Sequence, residues 1–141
     1  MKILLIEDDT GTLEVIRFCL EIYIPGVQVL TTTLGFEGIK ITKHATPDVV
    51  ILDLGLPDID GMQVLRSVRK FSNIPVIILT ARTDEESITR AMRLGANEYI
   101  LKPFDPSDLL SRIDNVIKND KSARDITNVA LENINAMKRD S

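Results

Sequence analysis

Five short apolar segments alternate with five segments of helical periodicity, and this alternation restricts the fold more than any other feature of the sequence. The apolar segments are rich in β-branched residues and span Lys2–Ile6, Val27–Thr31, Asp48–Leu52, Pro75–Leu79 and Glu98–Leu101. Continuous apolar runs of this kind are typical of strands that are covered on both faces, as in a parallel sheet. The fivefold βα order within about 119 residues therefore predicts an α/β fold, a doubly wound parallel sheet with right-handed crossovers.

The helical segments carry start and stop signals. We predict helices over residues 10–23, 34–44, 60–70 and 83–95, and a fifth helix that opens at residue 105. Asp60 is the expected cap of the third helix, residues 83–86 form a capping box for the fourth, and Asp105 precedes a first-turn proline in the fifth. Asp9 and Asp58 are interpreted in the same way, as cap or turn residues without a chemical role.

Composition and charge exclude several classes of protein. A chain of 141 residues with 44% hydrophobic and 27% charged residues fits one globular domain. No apolar run approaches the roughly 20 residues of a membrane span, and the N-terminus does not resemble a signal peptide, so we expect a cytoplasmic protein. The single cysteine, Cys19, permits no internal disulfide framework. The net charge of −4, without a basic stripe, indicates no direct nucleic-acid binding by this chain.

Polar side chains follow four of the five predicted strands: Glu7, Asp8 and Asp9 after the first, Asp53 after the third, Thr80 after the fourth and Lys102 after the fifth. Sites in open parallel sheets form beyond the carboxyl ends of the strands. If the first and third strands are neighbours, Glu7, Asp8 and Asp53 meet there. Close carboxylates repel one another, and a hard divalent cation or the Lys102 ammonium would compensate. A carboxylate beside these cations and the Thr80 hydroxyl is arranged to attack phosphorus.

Four motifs in this order resemble the receiver domain of bacterial two-component response regulators: LLIEDD, DLGLPDIDG, LTA and YILKPF. Each motif alone is weak, whereas all four at these intervals are specific, and the resemblance covers Lys2 to about Lys118. It implies a flavodoxin-like five-stranded sheet of order 2-1-3-4-5 with five flanking helices. Residues 1–119 would form the receiver domain. Residues 120–141 would be a tail, a connector or an extra helix.

The resemblance also implies roles for individual residues. Asp53 resembles the phosphoacceptor, and the metal, Mg²⁺ or Mn²⁺, would be held by Asp53, Asp8, Glu7 through water, and the Gly55 carbonyl. Thr80 resembles the hydroxyl that follows the phosphoryl group, Tyr99 the aromatic that swings inward with it, and Lys102 the cation that pairs with the phosphoryl oxygens. The peptide bond before Pro103 is typically cis in this family.

The implied function is a phosphorylation switch. A sensor histidine kinase or a phosphotransfer protein would phosphorylate Asp53, and the face of the fourth helix, fifth strand and fifth helix would change conformation. We expect no enzymatic turnover beyond slow self-dephosphorylation, because a related phosphohydrolase would carry a second acid where Gly55 stands. A degenerate receiver that only docks is a further alternative, which the complete acceptor chemistry disfavours.

Three features of the output stay open. The chain is a stand-alone regulator, a receiver separated from a DNA-binding output domain, or a regulator that uses its terminal segment. A homodimer through the switching face is favoured by Arg112 and weakened by Arg93 and Asn97, which replace acids common in relatives. Arg82, two residues after Thr80, could block water or contact the phosphoryl group, so the lifetime of the modified state is undetermined.

Overall fold

Five parallel strands form one sheet in the computed structural model, which describes residues 1–120. The strands are β1 (Lys2–Ile6), β2 (Gln28–Thr32), β3 (Val49–Leu52), β4 (Val76–Thr80) and β5 (Glu98–Leu101). Their order is β2-β1-β3-β4-β5, with every neighbouring pair parallel, which confirms the predicted sheet. The interpretations of residues 121–141 lie outside the described residues.

The helices cover both faces of this sheet. They are α1 (Thr10–Tyr23), α2 (Gly35–Ala45), α3 (Gly61–Arg69), α4 (Glu85–Arg93) and α5, which is helical over 106–120. Alternate residues of β1 enter different cores: Ile3 and Leu5 pack with α1 and α5, whereas Leu4 and Ile6 pack with α3 and α4. The strands read as continuous apolar runs because both faces are buried. Within residues 1–120 no helix has the length and apolar character of a membrane span.

Helix capping follows the predictions with one correction. Asp9 accepts a hydrogen bond from the Thr12 amide at 3.3 Å, and Asp60 accepts one from the Met62 amide at 2.8 Å. The capping box predicted for 83–86 is wrong by one residue, because α4 is capped by Asp84, whose carboxylate accepts from the Ser87 amide at 2.9 Å. Threonine and aspartate are adjacent candidates here, and the stronger capping residue is used.

The start of α2 is capped from a distant loop. Its own N-cap residue, Leu34, supplies no side-chain hydrogen bond. Instead Asp58 accepts from the Gly35 and Phe36 amides at 2.8 and 2.9 Å. The bond from Phe36 is the main reason why the pKa of Asp58 lies below its usual value. This contact joins the loop that follows Asp53 to the start of α2, at the same edge of the sheet.

Candidate functional site

Three carboxylates meet at the carboxyl ends of β1 and β3. The pairing of Ile6 with Leu52 places the residues that follow them side by side, and the Asp53 amide donates to the Ile6 carbonyl at 2.9 Å. One carboxylate oxygen each of Glu7, Asp8 and Asp53 lies within 4.8 Å of the others. The structure therefore brings together the three acids that the parallel-sheet argument placed there.

Lys102 reaches this cluster from the end of β5. Its ammonium group donates to Glu7 Oε1 and, at 3.1 Å, to Asp53 Oδ2. The chain is held at this point by the Lys102 amide, which donates to the Thr80 carbonyl at 2.9 Å, and the following bond to Pro103 is cis, as expected. The long aliphatic stem lets the ammonium pass the end of β4 and contact both acids.

The two buried acids of the cluster, Glu7 and Asp53, have pKa values that are shifted in opposite directions. Only 3% of Glu7 and 8% of Asp53 are exposed, whereas Asp8 faces solvent. Burial, followed by the neighbouring Asp53 carboxylate, raises the pKa of Glu7 to about 8, and Lys102 only partly opposes this. Burial also raises the pKa of Asp53, but the neighbouring Glu7 carboxyl and the hydrogen bond from Lys102 outweigh it and leave this pKa below its usual value. Of the two acids, Asp53 is therefore the one whose surroundings favour the charged carboxylate.

Lys102 stays protonated in this setting. Burial alone would lower the pKa of its ammonium group, but the hydrogen bonds to Glu7 and Asp53 raise it above the usual value. The contact between Lys102 and Asp53 therefore favours the charged form of both groups.

The donor set fits a hard divalent cation. Glu7 Oε2 is buried and has no hydrogen-bond partner among residues 1–120, and an orphaned buried oxygen is costly unless a further group binds it. The clustered ligand atoms are all carboxylate oxygens, which Mg²⁺ and similar ions prefer. The acidic site could thus bind a metal, with Glu7, Asp8 and Asp53 as the available ligands.

The raised pKa of Glu7 predicts an unusual pH dependence of stability. A carboxyl whose folded pKa exceeds its unfolded value stabilises the fold below the unfolded pKa and loses that contribution as pH rises through about 8. In metal-free buffer we expect the free energy of unfolding to be about 2 kcal/mol lower at pH 9 than at pH 6. Urea unfolding of the native chain and of Glu7→Gln would measure this. An equal loss in the variant would contradict the assignment to Glu7.

The remaining predicted residues border the cluster. Thr80 ends β4 with 2% of its surface exposed, and its hydroxyl oxygen accepts from the Arg82 amide at 3.4 Å. The Gly55 amide donates to Asp53 Oδ1 at 3.2 Å, and a Cβ at Gly55 would meet nothing within 4 Å. The Tyr99 hydroxyl donates to the Arg82 carbonyl at 2.9 Å. The ligand role of the Gly55 carbonyl and the switching of Tyr99 stay predictions.

Two features of the site were missed by sequence reasoning. A Cβ at Gly61 would lie 2.5 Å from both the Asp53 carbonyl oxygen and the Leu54 Cα, so the start of α3 touches the acceptor's own backbone. No sequence pattern marks this close approach. Arg82 forms a salt bridge with Asp60 at 2.8 Å, a pairing of two loops for which the sequence carried no signal.

Comparison with known proteins agrees with this geometry. Residues 3–114 match the family model described as the response regulator receiver domain. The chain is 35% identical to the "Transcriptional regulatory protein KdpE" of Mycobacterium tuberculosis (strain ATCC 25618 / H37Rv), covering 92% of this chain and 57% of that protein. The chain belongs to the response-regulator receiver domain family.

Solved receiver domains share the fold. A response regulator receiver domain from Clostridium thermocellum is 39% identical with a TM-score of 0.78, covering 86% of this chain and 98% of that one. The receiver domain of Klebsiella pneumoniae RstA, described as BeF3-activated, is 30% identical with a TM-score of 0.76, covering 81% and 96%. The chain spans little more than half the length of the curated relative and nearly all of the solved receiver domains.

Proposed function

We propose that Asp53 accepts a phosphoryl group and that this modification switches the domain. The observation that carries the proposal is a contact: Asp53 Oδ2 lies 3.1 Å from the Lys102 ammonium, whose hydrogen bond helps to keep the pKa of Asp53 below its usual value. An Asp53 oxygen attacks phosphorus and forms a new P–O bond. The bond between phosphorus and the donor breaks, and the leaving group keeps that electron pair.

Residues around Asp53 can stabilise the transferred group. The Lys102 ammonium already donates a hydrogen bond to Asp53 and would also donate to the phosphoryl oxygens. The Thr80 hydroxyl, which now accepts from the Arg82 amide, would donate to the same oxygens. Bound Mg²⁺ would supply charge that offsets the phosphoryl oxygens, held by Glu7, Asp8, Asp53 and the Gly55 carbonyl. Tyr99 would lose its bond to the Arg82 carbonyl when that loop moves.

Acceptance of the group can be tested with a small phosphodonor. After incubation with acetyl phosphate and Mg²⁺, the native chain should gain one phosphoryl adduct by intact mass, and acetate should leave. Asp53→Asn should gain none, because the amide is not nucleophilic. Asp9→Asn is the matched control and should still be modified, since Asp9 caps α1. An equal adduct on Asp53→Asn, or none on the native chain, would refute the proposal.

We also propose that the domain is a switch and not a turnover enzyme. Gly55 offers no side chain to activate water, and a Cβ there would meet nothing within 4 Å. Self-dephosphorylation would therefore be slow. Steady multi-turnover release of phosphate from small phosphoesters would contradict this and support a phosphohydrolase.

The donor would be a sensor histidine kinase or a phosphotransfer protein, the partners of receiver domains. The output would be transcriptional, because the curated relative is named a transcriptional regulatory protein and is longer than this chain. Transcript profiles of a strain whose chromosomal copy carries Asp53→Asn would test this. Unchanged transcripts under every condition that activates the donor would contradict a transcriptional output.

We further propose homodimerisation through the face of α4, β5 and α5. Met92 and Leu101 expose apolar surface on this face, at 45% and 40%. Arg112 is already paired within one copy, with Glu98 at 2.8 Å and Asp108 at 3.1 Å, so bridging a second copy would cost these contacts. We expect light scattering to show a higher mass with beryllofluoride, and weaker association in Arg112→Gln. An unchanged mass would remove the dimer.

A further inference from the structure

Arg82 is fastened to the loop that follows the acceptor. Its guanidinium donates to Asp60 Oδ2 at 2.8 Å, to Asp60 Oδ1 at 3.4 Å and to the Leu54 carbonyl at 3.3 Å. Leu54 is the residue directly after Asp53, so the guanidinium already contacts the acceptor's loop. This pairing joins the loop after β4 to the loop after β3 by side-chain contacts.

The charge of Arg82 also acts on the acceptor itself. The pKa of Arg82 is raised mainly by its hydrogen bonds with Asp60, and Asp53 adds to this effect through space. A phosphoryl group on Asp53 would add further negative charge and three strong acceptor oxygens near the same guanidinium. Because 35% of the Arg82 side chain and 43% of the Asp60 side chain are exposed, their pairing is weak enough to be exchanged.

The backbone of Arg82 contacts the two predicted switch residues. Its amide donates to the Thr80 hydroxyl oxygen, and its carbonyl accepts from the Tyr99 hydroxyl. A displacement of Arg82 would therefore disturb both hydrogen bonds at once. The Arg82 backbone therefore links Thr80 and Tyr99, while its guanidinium contacts Asp60 and the Leu54 carbonyl.

From these contacts we propose that Arg82 is a phosphoryl-contacting residue that Asp60 holds back in the unmodified protein. When Asp53 is modified, the guanidinium leaves Asp60 for the phosphoryl oxygens and draws the loop after β4 with it. Asp60 is then a positioning residue, and its salt bridge with Arg82 lowers the affinity of the site for a phosphoryl group. This inference rests on the proposed function of Asp53.

A double-mutant cycle with beryllofluoride as the phosphoryl mimic tests the exchange. Asp60→Asn keeps a capping oxygen for α3 but releases Arg82, so we expect beryllofluoride to bind about threefold more tightly at fixed Mg²⁺. Arg82→Gln should bind about tenfold more weakly, because a charged hydrogen-bond donor to the mimic is lost. Adding Asp60→Asn to Arg82→Gln should then change the dissociation constant of beryllofluoride by no more than about twofold, since Asp60 acts only through Arg82. Fluorine NMR titration would report each dissociation constant.

A second cap aspartate controls for long-range charge. Asp9→Asn removes the same charge from the N-cap of α1, and Asp9 feels Lys102 through space, so it lies near the site. Asp9→Asn should change the affinity for beryllofluoride by the same factor in the native chain and in Arg82→Gln. If Asp60→Asn also acts equally in both backgrounds, the inference is overturned while the proposed function stands. If the native chain binds no beryllofluoride and forms no phosphoryl adduct, both fail.

Discussion

The variant Lys102→Met should accept a phosphoryl group from acetyl phosphate at least about a hundredfold more slowly than the native chain. The native ammonium donates to both Glu7 Oε1 and Asp53 Oδ2, so it lies where charge accumulates during transfer. Removing a donor at such a position costs two to three orders of magnitude in comparable acyl-transfer sites. Methionine keeps the stem's volume and apolar character, so packing beside Thr80 should change little.

The same variant should bind Mg²⁺ at least as tightly as the native chain. Lys102 competes with the metal for oxygens of Glu7 and Asp53, and its removal makes the cluster more negative by one charge. The opposite signs of the two effects separate loss of the ammonium from loss of the metal. Calorimetric titration with Mg²⁺ and a mass-resolved time course with acetyl phosphate would measure them.

A surface lysine provides the control. Lys118→Met removes the same charge from an exposed pair with Asp114 on α5, far from the strand ends, and should leave rate and Mg²⁺ affinity unchanged. If Lys102→Met lost Mg²⁺ binding together with phosphorylation, the ammonium would be needed to organise the metal site. It would then not act only by offsetting the negative charge of the carboxylates.

The residues of the site that could be predicted from sequence are those that directly follow the end of a strand. Parallel strands end at one edge of the sheet, so acids that directly follow β1 and β3 had to meet once the strands were neighbours. The apolar runs located those ends to within one residue. Glu7, Asp53 and Lys102 were therefore predictable, because the covalent chain fixes their distance from the sheet.

The unpredicted contacts join loops to one another. Asp58 caps α2 across 22 and 23 residues, and Arg82 pairs with Asp60 across 22 residues. Loop–loop geometry depends on how helices pack on the sheet, which periodicity does not specify. The choice of Asp84 over Thr83 as the cap of α4 is a local example, since both residue types satisfy the same sequence pattern.

Gly61→Ala should destabilise the domain by about 2 to 3 kcal/mol, against the sign that helix propensity predicts. Gly61 is the first residue of α3, and within helices alanine is favoured over glycine by up to about 1 kcal/mol. Its backbone does not adopt a positive φ, so conformation alone would permit alanine. The new Cβ would lie 2.5 Å from the Asp53 carbonyl oxygen and the Leu54 Cα, and backbone atoms must shift to admit it.

Two other glycines give matched controls for this destabilisation. Gly11→Ala makes the same change in the first turn of α1, where the nearest atom to a Cβ is an Asp9 carboxylate oxygen at 3.8 Å, so stability should stay equal or rise. Gly55→Ala, within the acceptor loop itself, should stay within about 0.5 kcal/mol. Urea unfolding would rank the three variants, and the acetyl phosphate time course should be slowed by Gly61→Ala more than by Gly55→Ala. If Gly61→Ala were as stable as Gly11→Ala, the contact between α3 and the Asp53 backbone could not be what positions the acceptor.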